Sequence, residues 1–225
     1  FDPENPNLYS DFTGQEALWN PVEELKLEQN GGETKLLDWD ATVKLNLLPL
    51  LAKDGHSIHS LSTQLTFADQ QSDNFDYWFR PSTSRLAMKN DYKGEASRTY
   101  SKYRQHSLEW LGNYAMELKG HRARAMVGYS YQYFQNSGLN AANKDFSSDG
   151  LLYNNLGSGE WAKEEGRNEM GTNKSDSKLI AFFGRLSYDY KNRYLMTASL
   201  RYEGSSRFGD DNKWGYFPAV SAGWR

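Results

Sequence analysis

Apolar and polar residues alternate one by one in six stretches of this chain, and a seventh begins near its end. In residues 36–48, Trp39, Ala41, Val43, Leu45 and Leu47 share one face; Asp38, Asp40, Thr42, Lys44 and Asn46 share the other. Residues 58–68 repeat the pattern, with Leu61, Thr63, Leu65 and Phe67 set against Ser60, Ser62, Gln64 and Thr66. Residues 106–118 carry Leu108, Trp110, Tyr114, Met116 and Leu118 on the apolar side. Residues 122–134 place Ala123, Ala125, Val127, Tyr129, Tyr131 and Tyr133 opposite Arg122, Arg124, Met126, Gly128, Ser130 and Gln132. Residues 178–190 and 194–204 follow, the latter with Tyr194, Met196, Ala198, Leu200 and Tyr202 on one side, and a last segment starts near Tyr216. A period of two is that of a pleated strand whose faces meet different surroundings.

The connections alternate in length. Short turns are expected at 49–57, at Lys119-Gly120 and at Lys191-Asn192-Arg193, and long polar loops at 69–105, 135–176 and 205–215. Residues 1–34, with Pro3, Pro6, Pro21 and Gly31-Gly32, read as loop. Brief turns on one side and extended loops on the other are the habit of outer-membrane barrels, with the turns periplasmic and the loops outside. Strands of about ten residues match a tilted crossing of lipid. Tyr188, Tyr190 and Tyr194 fall at the turn ends, and Tyr131, Tyr133, Tyr202 and Tyr216 at the loop ends, where rings with a polar tip suit the water–lipid boundary. None of the six prolines falls mid-strand, Pro218 coming nearest. The fold class expected is all-β: an antiparallel transmembrane β-barrel, of which residues 1–225 form one internal fragment. About seven strands are too few to close a wide pore and would leave two open edges.

Composition narrows this further. Aromatics make up 15% of the 225 residues, with 15 Tyr and 19 Gly, a mixture suited to many short strands and turns. A net charge of −3, without basic runs interleaved with aromatics, gives no reason to expect nucleic acid. No run of about 18 apolar residues is present to form a spanning helix. The mean hydropathy of −0.83 is compatible with a barrel, where only alternate residues face lipid. The absence of cysteine excludes disulfides and thiolate metal sites. The chain starts at Phe1 and stops inside a strand at Trp224-Arg225, so it is expected to be a piece of a longer protein.

The wording of the last third adds a resemblance. FGRLSYDYKNRYLMTASLRYEGSSRFG (183–209) and WGYFPAVSAGW (214–224) resemble two adjacent barrel hairpins of the SusC/RagA-like TonB-dependent outer-membrane transporters of Bacteroidetes. LWNPVEEL (18–25) is similar to that family's Asn-Pro segment in weaker form. The resemblance implies a barrel of about 22 strands. It also implies an N-terminal plug, coupling to the TonB-ExbB-ExbD complex through parts outside this segment, and a SusD-like surface lipoprotein closing over the mouth. The implied activity is uptake of a glycan or peptide across outer-membrane lipid, without catalysis or cofactor. Two rivals remain at this stage: a soluble, lectin-like carbohydrate-binding β-sandwich, and a receptor or adhesion barrel without transport.

No catalytic or metal site emerges. Asp38 and Asp40 lie about 6–7 Å apart on one strand face, a spacing that invites a glycosidase comparison, but nothing nearby resembles a catalytic frame and they read as two charges on a wetted wall. His56, His59, His106 and His121 have no ligand spacing, and Asp210-Asp211-Asn212 lacks the ladder of a calcium loop. Ser205-Ser206 has no His and Asp arranged around it, and Gly157-Ser158-Gly159 lacks the Lys of a phosphate cradle. For substrate binding the candidates are loop residues Tyr77, Trp78 and Arg80, flanking Phe79, and Trp161. Aromatic faces stack on sugar rings or peptide side chains and Arg80 offers a partner to a carboxylate; the same rings also serve to pack a loop on its neighbours.

Overall fold

The computed structural model describes residues 21–48, 58–167 and 169–225. Seven antiparallel strands form one sheet in chain order: β1 (Gln29–Asn46), β2 (Ile58–Arg80), β3 (Glu95–Leu118), β4 (His121–Lys144), β5 (Met170–Tyr190), β6 (Tyr194–Ser205) and β7 (Trp214–Trp224). This is the expected all-β fold, with each strand paired to its sequence neighbour and β1 and β7 at the two edges. The turn expected at 49–57 lies outside the described residues. Lys119 and Gly120 join β3 to β4 with φ of +46° and +83°, the left-handed pair of a type I′ hairpin. Lys191 and Asn192 repeat that geometry at +54° and +55° between β5 and β6.

The strands outrun their sequence limits. Residues 69–80 and 95–105, expected as loop, continue β2 and β3, and residues 135–144 and 170–176 continue β4 and β5. The connections shrink to 81–94, 145–169 and 206–213. The reason is physical: where polar residues occupy both faces, the period-two hydropathy signal disappears although the pleat continues. Residues 1–34, expected as loop, also contain α1 (Pro21–Leu27) and the start of β1. Pro21 opens that helix, the position where its missing N–H is harmless. Pro218, expected near the start of the last strand, stands in the middle of β7, opposite Leu200, so the expectation that no proline falls mid-strand fails there; β7 is an edge strand of this sheet, the place that tolerates proline.

The chain divides into two compact units. One comprises Leu36–Gln71, Tyr103–Gln135 and Ser175–Arg225. Here the register fixes the faces. Phe182, Tyr202 and Tyr216 align across β5, β6 and β7; so do Leu186, Ala198 and Val220, and Tyr190, Tyr194 and Trp224. This face is apolar and uncovered, with Val43 61%, Leu186 54% and Val220 71% exposed. The opposite face aligns Arg185 with Ser199, and Ser187 with Thr197 and Ser221. A lectin-like sandwich would bury such an apolar face against a second sheet. Among the described residues, the only buried hydrophobic side chain in this unit is Ala181.

Aromatic rows bound the apolar face. At the turn end, Tyr190 and Tyr194 stack at 6.4 Å, the Tyr188 hydroxyl meets His121 Nδ1 at 2.6 Å, and Tyr114 meets His59 at 2.7 Å. At the other end, Tyr202 stacks on Tyr216 and Trp214 at 4.4 and 4.6 Å, and His106 lies parallel to Tyr133 while pairing with Asp69. The pairs Tyr194–Trp224 and Tyr202–Tyr216 stand eight residues apart on both strands. That is about 27 Å along a strand. At a tilt near 40–45° it becomes about 20 Å, close to the ~25 Å apolar band of a membrane barrel.

The second unit runs from the described N-terminal residues to Lys35, with Ser72–Lys102 and Asn136–Lys174. It has a small core of its own, Phe79, Ala96 and Phe146, onto which Leu152, Tyr153 and Leu156 pack.

Candidate functional site

In the second unit, the ends of five strands meet in a row of alternating charge. Glu28 precedes β1, Arg80 ends β2, Glu95 opens β3, Lys144 ends β4 and Glu169 precedes β5. Arg80 donates from Nε to Glu28 Oε1 at 2.6 Å and stands 3.4 Å from Glu95. Lys144 Nζ lies 3.3 Å from Glu95 and 3.6 Å from Glu169. Tyr92, from the β2–β3 loop, accepts from Arg80 at 3.0 Å and donates to Glu95 at 3.1 Å. Burial alone would push the Arg80 guanidinium down, but its hydrogen bonds to Tyr92 and Glu28 hold it above its ordinary value. Lys144 behaves alike: desolvation is outweighed by the charges of Glu95 and Glu169 and the hydrogen bond to Glu95. Each cation therefore has at least two acceptors, the condition for holding charge in a half-buried place.

Two candidate aromatics join this ladder. Trp78 donates from its indole to Glu28 at 3.3 Å, and the Arg80 guanidinium lies over its ring at 4.7 Å. Trp161 takes Arg167 at 3.7 Å and Lys144 at 5.2 Å. Tyr77, next to Trp78 on a strand, projects the opposite way. It stacks on Tyr153 at 3.8 Å, beside a hollow of about 420 Å³ lined in part by Phe75, Arg98, Tyr100 and Leu156. The structure thus brings Trp78, Arg80 and Trp161 together and leaves Tyr77 apart. Glu28, Tyr92, Glu95, Lys144 and Glu169 escaped sequence reading because their grouping depends on register between strands, which no local pattern carries.

The loops bearing these residues are fastened. The Asp149 carboxylate accepts from the Ser82 amide at 3.0 Å and its hydroxyl at 2.8 Å, and Asp145 accepts from the Lys93 amide at 2.9 Å. Buried Asn143 donates to the carbonyls of Leu156 and Gly159 and accepts from the amide of Ala162. Gly94 is held at φ +74°, and a side chain there would press on Asp149 and the Arg80 carbonyl. Among the described residues no group of three or more metal-ligating side chains occurs. In the 206–213 loop, Asp210 pairs with Lys213, and Asp38 and Asp40 stand exposed on β1.

Comparison with known proteins gives a consistent picture. A family described as TonB dependent receptor-like, beta-barrel matches residues 2–225. TonB-dependent receptor P39 of Formosa agariphila is 39% identical over 108 residues, covering 47% of this chain and 10% of that protein. TonB-dependent receptor SusC of Bacteroides thetaiotaomicron is 53% identical over 47 residues, covering 21% of this chain and 5% of SusC. The matched stretches thus span at most about an eighth of the curated relatives' length, the largest share being 13%. Among solved structures, the RagAB peptide importer in the open-open state superposes with a TM-score of 0.66 at 18% identity, over 90% of this chain and 20% of that one, a likeness of fold.

Proposed function

Because the chain belongs to the TonB-dependent receptor-like β-barrel family, we propose that it is the part of an outer-membrane active transporter that supplies wall, lumen lining and outer loops. The observation that carries this reading is the pair of aromatic rows eight residues apart, with an uncovered apolar face between them. Hydrocarbon occupies that band, and the two rows sit at its headgroup boundaries. The turns at 119–120 and 191–193 face the periplasm, and the loops at 81–94, 145–169 and 206–213 face outward. This orientation follows the rule of short inner turns and long outer loops.

In this reading a nutrient, an oligosaccharide in the first instance and an oligopeptide in the second, is caught between the outer loops and a SusD-like lipoprotein. Force passed through TonB-ExbB-ExbD, by parts outside these residues, then opens a path inward. Trp78, Arg80 and Trp161 offer contacts at the rim, and Tyr77 a separate one. The peptide alternative is supported by the RagAB likeness of fold. No reaction is assigned, since no acid–base or nucleophilic arrangement stands among the described residues. The test is to purify the native full-length protein from outer membranes in mild detergent and identify its companions by mass spectrometry. A surface lipoprotein with a bound oligosaccharide or peptide is the expected result. Recovery as a lone soluble chain would overturn the transporter reading.

A further inference from the structure

Three adjacent strands carry matched rows on the apolar face. Tyr129 of β4 lies 5.2 Å from Phe182 of β5, which pairs with Tyr202 of β6. One row nearer the turns, Val127 stands beside Gly184, whose partner on β6 is Leu200. With no side chain at 184, these rings and aliphatic chains line an open apolar trough of about 850 Å³. Four residues further from the turns on each strand the character reverses. The same register sets Tyr133 beside Lys178, and the Lys178 amide donates to Ser206 Oγ at 2.8 Å. Each of these three side chains has a hydrogen to give. The Tyr133 hydroxyl accepts from Gln135 at 2.9 Å and Ser206 accepts from backbone, so both hydroxyl protons remain available. Lys178 is exposed, and among the described residues it has no ion pair, not even with Asp176 two positions along the same face.

We propose that this column of rows is a binding site for one lipid of the outer leaflet, with an acyl chain in the trough and a phosphate monoester against Lys178. The heights agree with that occupant. Four residues span about 13 Å along a strand, or about 10 Å at the tilt of a barrel, which puts the donors among headgroups and the trough in hydrocarbon. An ammonium flanked by two hydroxyls on strands about 4.8 Å apart can share the oxygens of one phosphate. A monoester carries about −1.5 to −2 charges at neutral pH. A zwitterionic head brings an ammonium of its own to compete with Lys178. The class that joins such a head to acyl chains is a phosphorylated glycolipid. This face lies outside the lumen, so a plug inside the barrel and a lid over its mouth both leave it open. The inference rests on the outer-membrane reading above and adds a particular lipid to it.

The test uses the native full-length protein, washed free of lipid by exchange into mild detergent. Monophosphoryl lipid A, phosphatidylethanolamine and a diacylglycerol serve as probes, and native mass spectrometry counts the copies retained. One copy of monophosphoryl lipid A is expected to be held at least about tenfold more tightly than either other lipid. Lys178→Gln should lose that preference and Lys178→Arg should keep it. Gly184→Phe, which fills the trough, should weaken all three lipids alike. Equal retention of the three probes by the wild type overturns the proposal, as does a Lys178→Gln variant that keeps the preference. So does a dimer of the full-length protein whose cross-links from Lys178 show a second copy seated on this face. Heat-modifiable migration on gels reports folding; should Gly184→Phe fail it, the two Lys178 variants decide alone. Recovery of the lipoprotein complex is scored separately, so loss of lipid preference leaves the transporter reading standing.

Discussion

Arg80 shows how one residue holds several elements. Its guanidinium bonds Glu28, Tyr92 and Glu95 while covering the ring of Trp78, and only 12% of its side chain is exposed. Arg80→Ala would leave two half-buried carboxylates facing each other and is expected to cost about 2–3 kcal/mol, somewhat below the value for a fully buried pair. Urea unfolding of the reconstituted protein checks the figure. Arg80→Lys should recover less than half of it, since one ammonium does not reach three acceptors with a fork's geometry. Lys144 makes a pH-dependent contribution whose sign is fixed. Its folded pKa stands above the unfolded value of 10.5, so the stabilisation is complete below that pH and fades as pH rises through the folded value. The stability difference between wild type and Lys144→Met should therefore be flat from pH 7 to 9 and narrow above about 10.5.

At the scale of elements, the hairpins were legible and the strand ends were not. Leu195 to Arg201 alternates cleanly because one face carries Met196, Ala198 and Leu200 and the other Thr197 and Ser199, and the structure pairs them as read. In residues 95–105, Arg98, Lys102 and Arg104 occupy one face and Glu95, Ser97, Thr99, Ser101 and Gln105 the other, so polar residues on both faces left no period to mark β3 there, although the strand continues through it. The candidate rim was half legible for the same reason. Trp78, Arg80 and Trp161 were visible as unusual residues in polar surroundings, whereas the ladder joining them exists only once strands are in register. The turns are a sharper case. Gly120 sits at φ +83°, where a β-branched side chain is strained. Gly120→Val is expected to destabilise by about 1–2 kcal/mol and to slow refolding into lipid, followed by the gel shift of the folded barrel.

For the molecule as a whole, the useful quantity is depth in the bilayer. Val220 lies four residues from Tyr216 and four from Trp224, at the middle of the apolar face, and Ser221 beside it points to the polar face with Thr197. Val220→Arg is expected to cost about 2–4 kcal/mol in liposomes, against roughly 0–1 for the same change at Tyr216. Ser221→Arg should stay within about 0.5 kcal/mol, as an exposed substitution on a wetted surface does. Equal penalties at Val220 and Ser221 would remove hydrocarbon from the account of this face. The contrast needs only two adjacent residues, which keeps differences in expression or loop length out of the comparison.

The fastening of the loops by Asp149, Asp145 and Asn143 bears on kinetics as well as stability. A segment of 25 residues between β4 and β5 would ordinarily lose much of its freedom when a guest arrives, and part of the binding free energy would be consumed in ordering it. Here that entropy is already lost when the chain folds. Association with this rim should proceed in a single phase, with a heat-capacity change set by the surface covered and no excess from coupled folding. Any gating motion above the rim must then be carried out by another body, with these loops serving as its fixed seat.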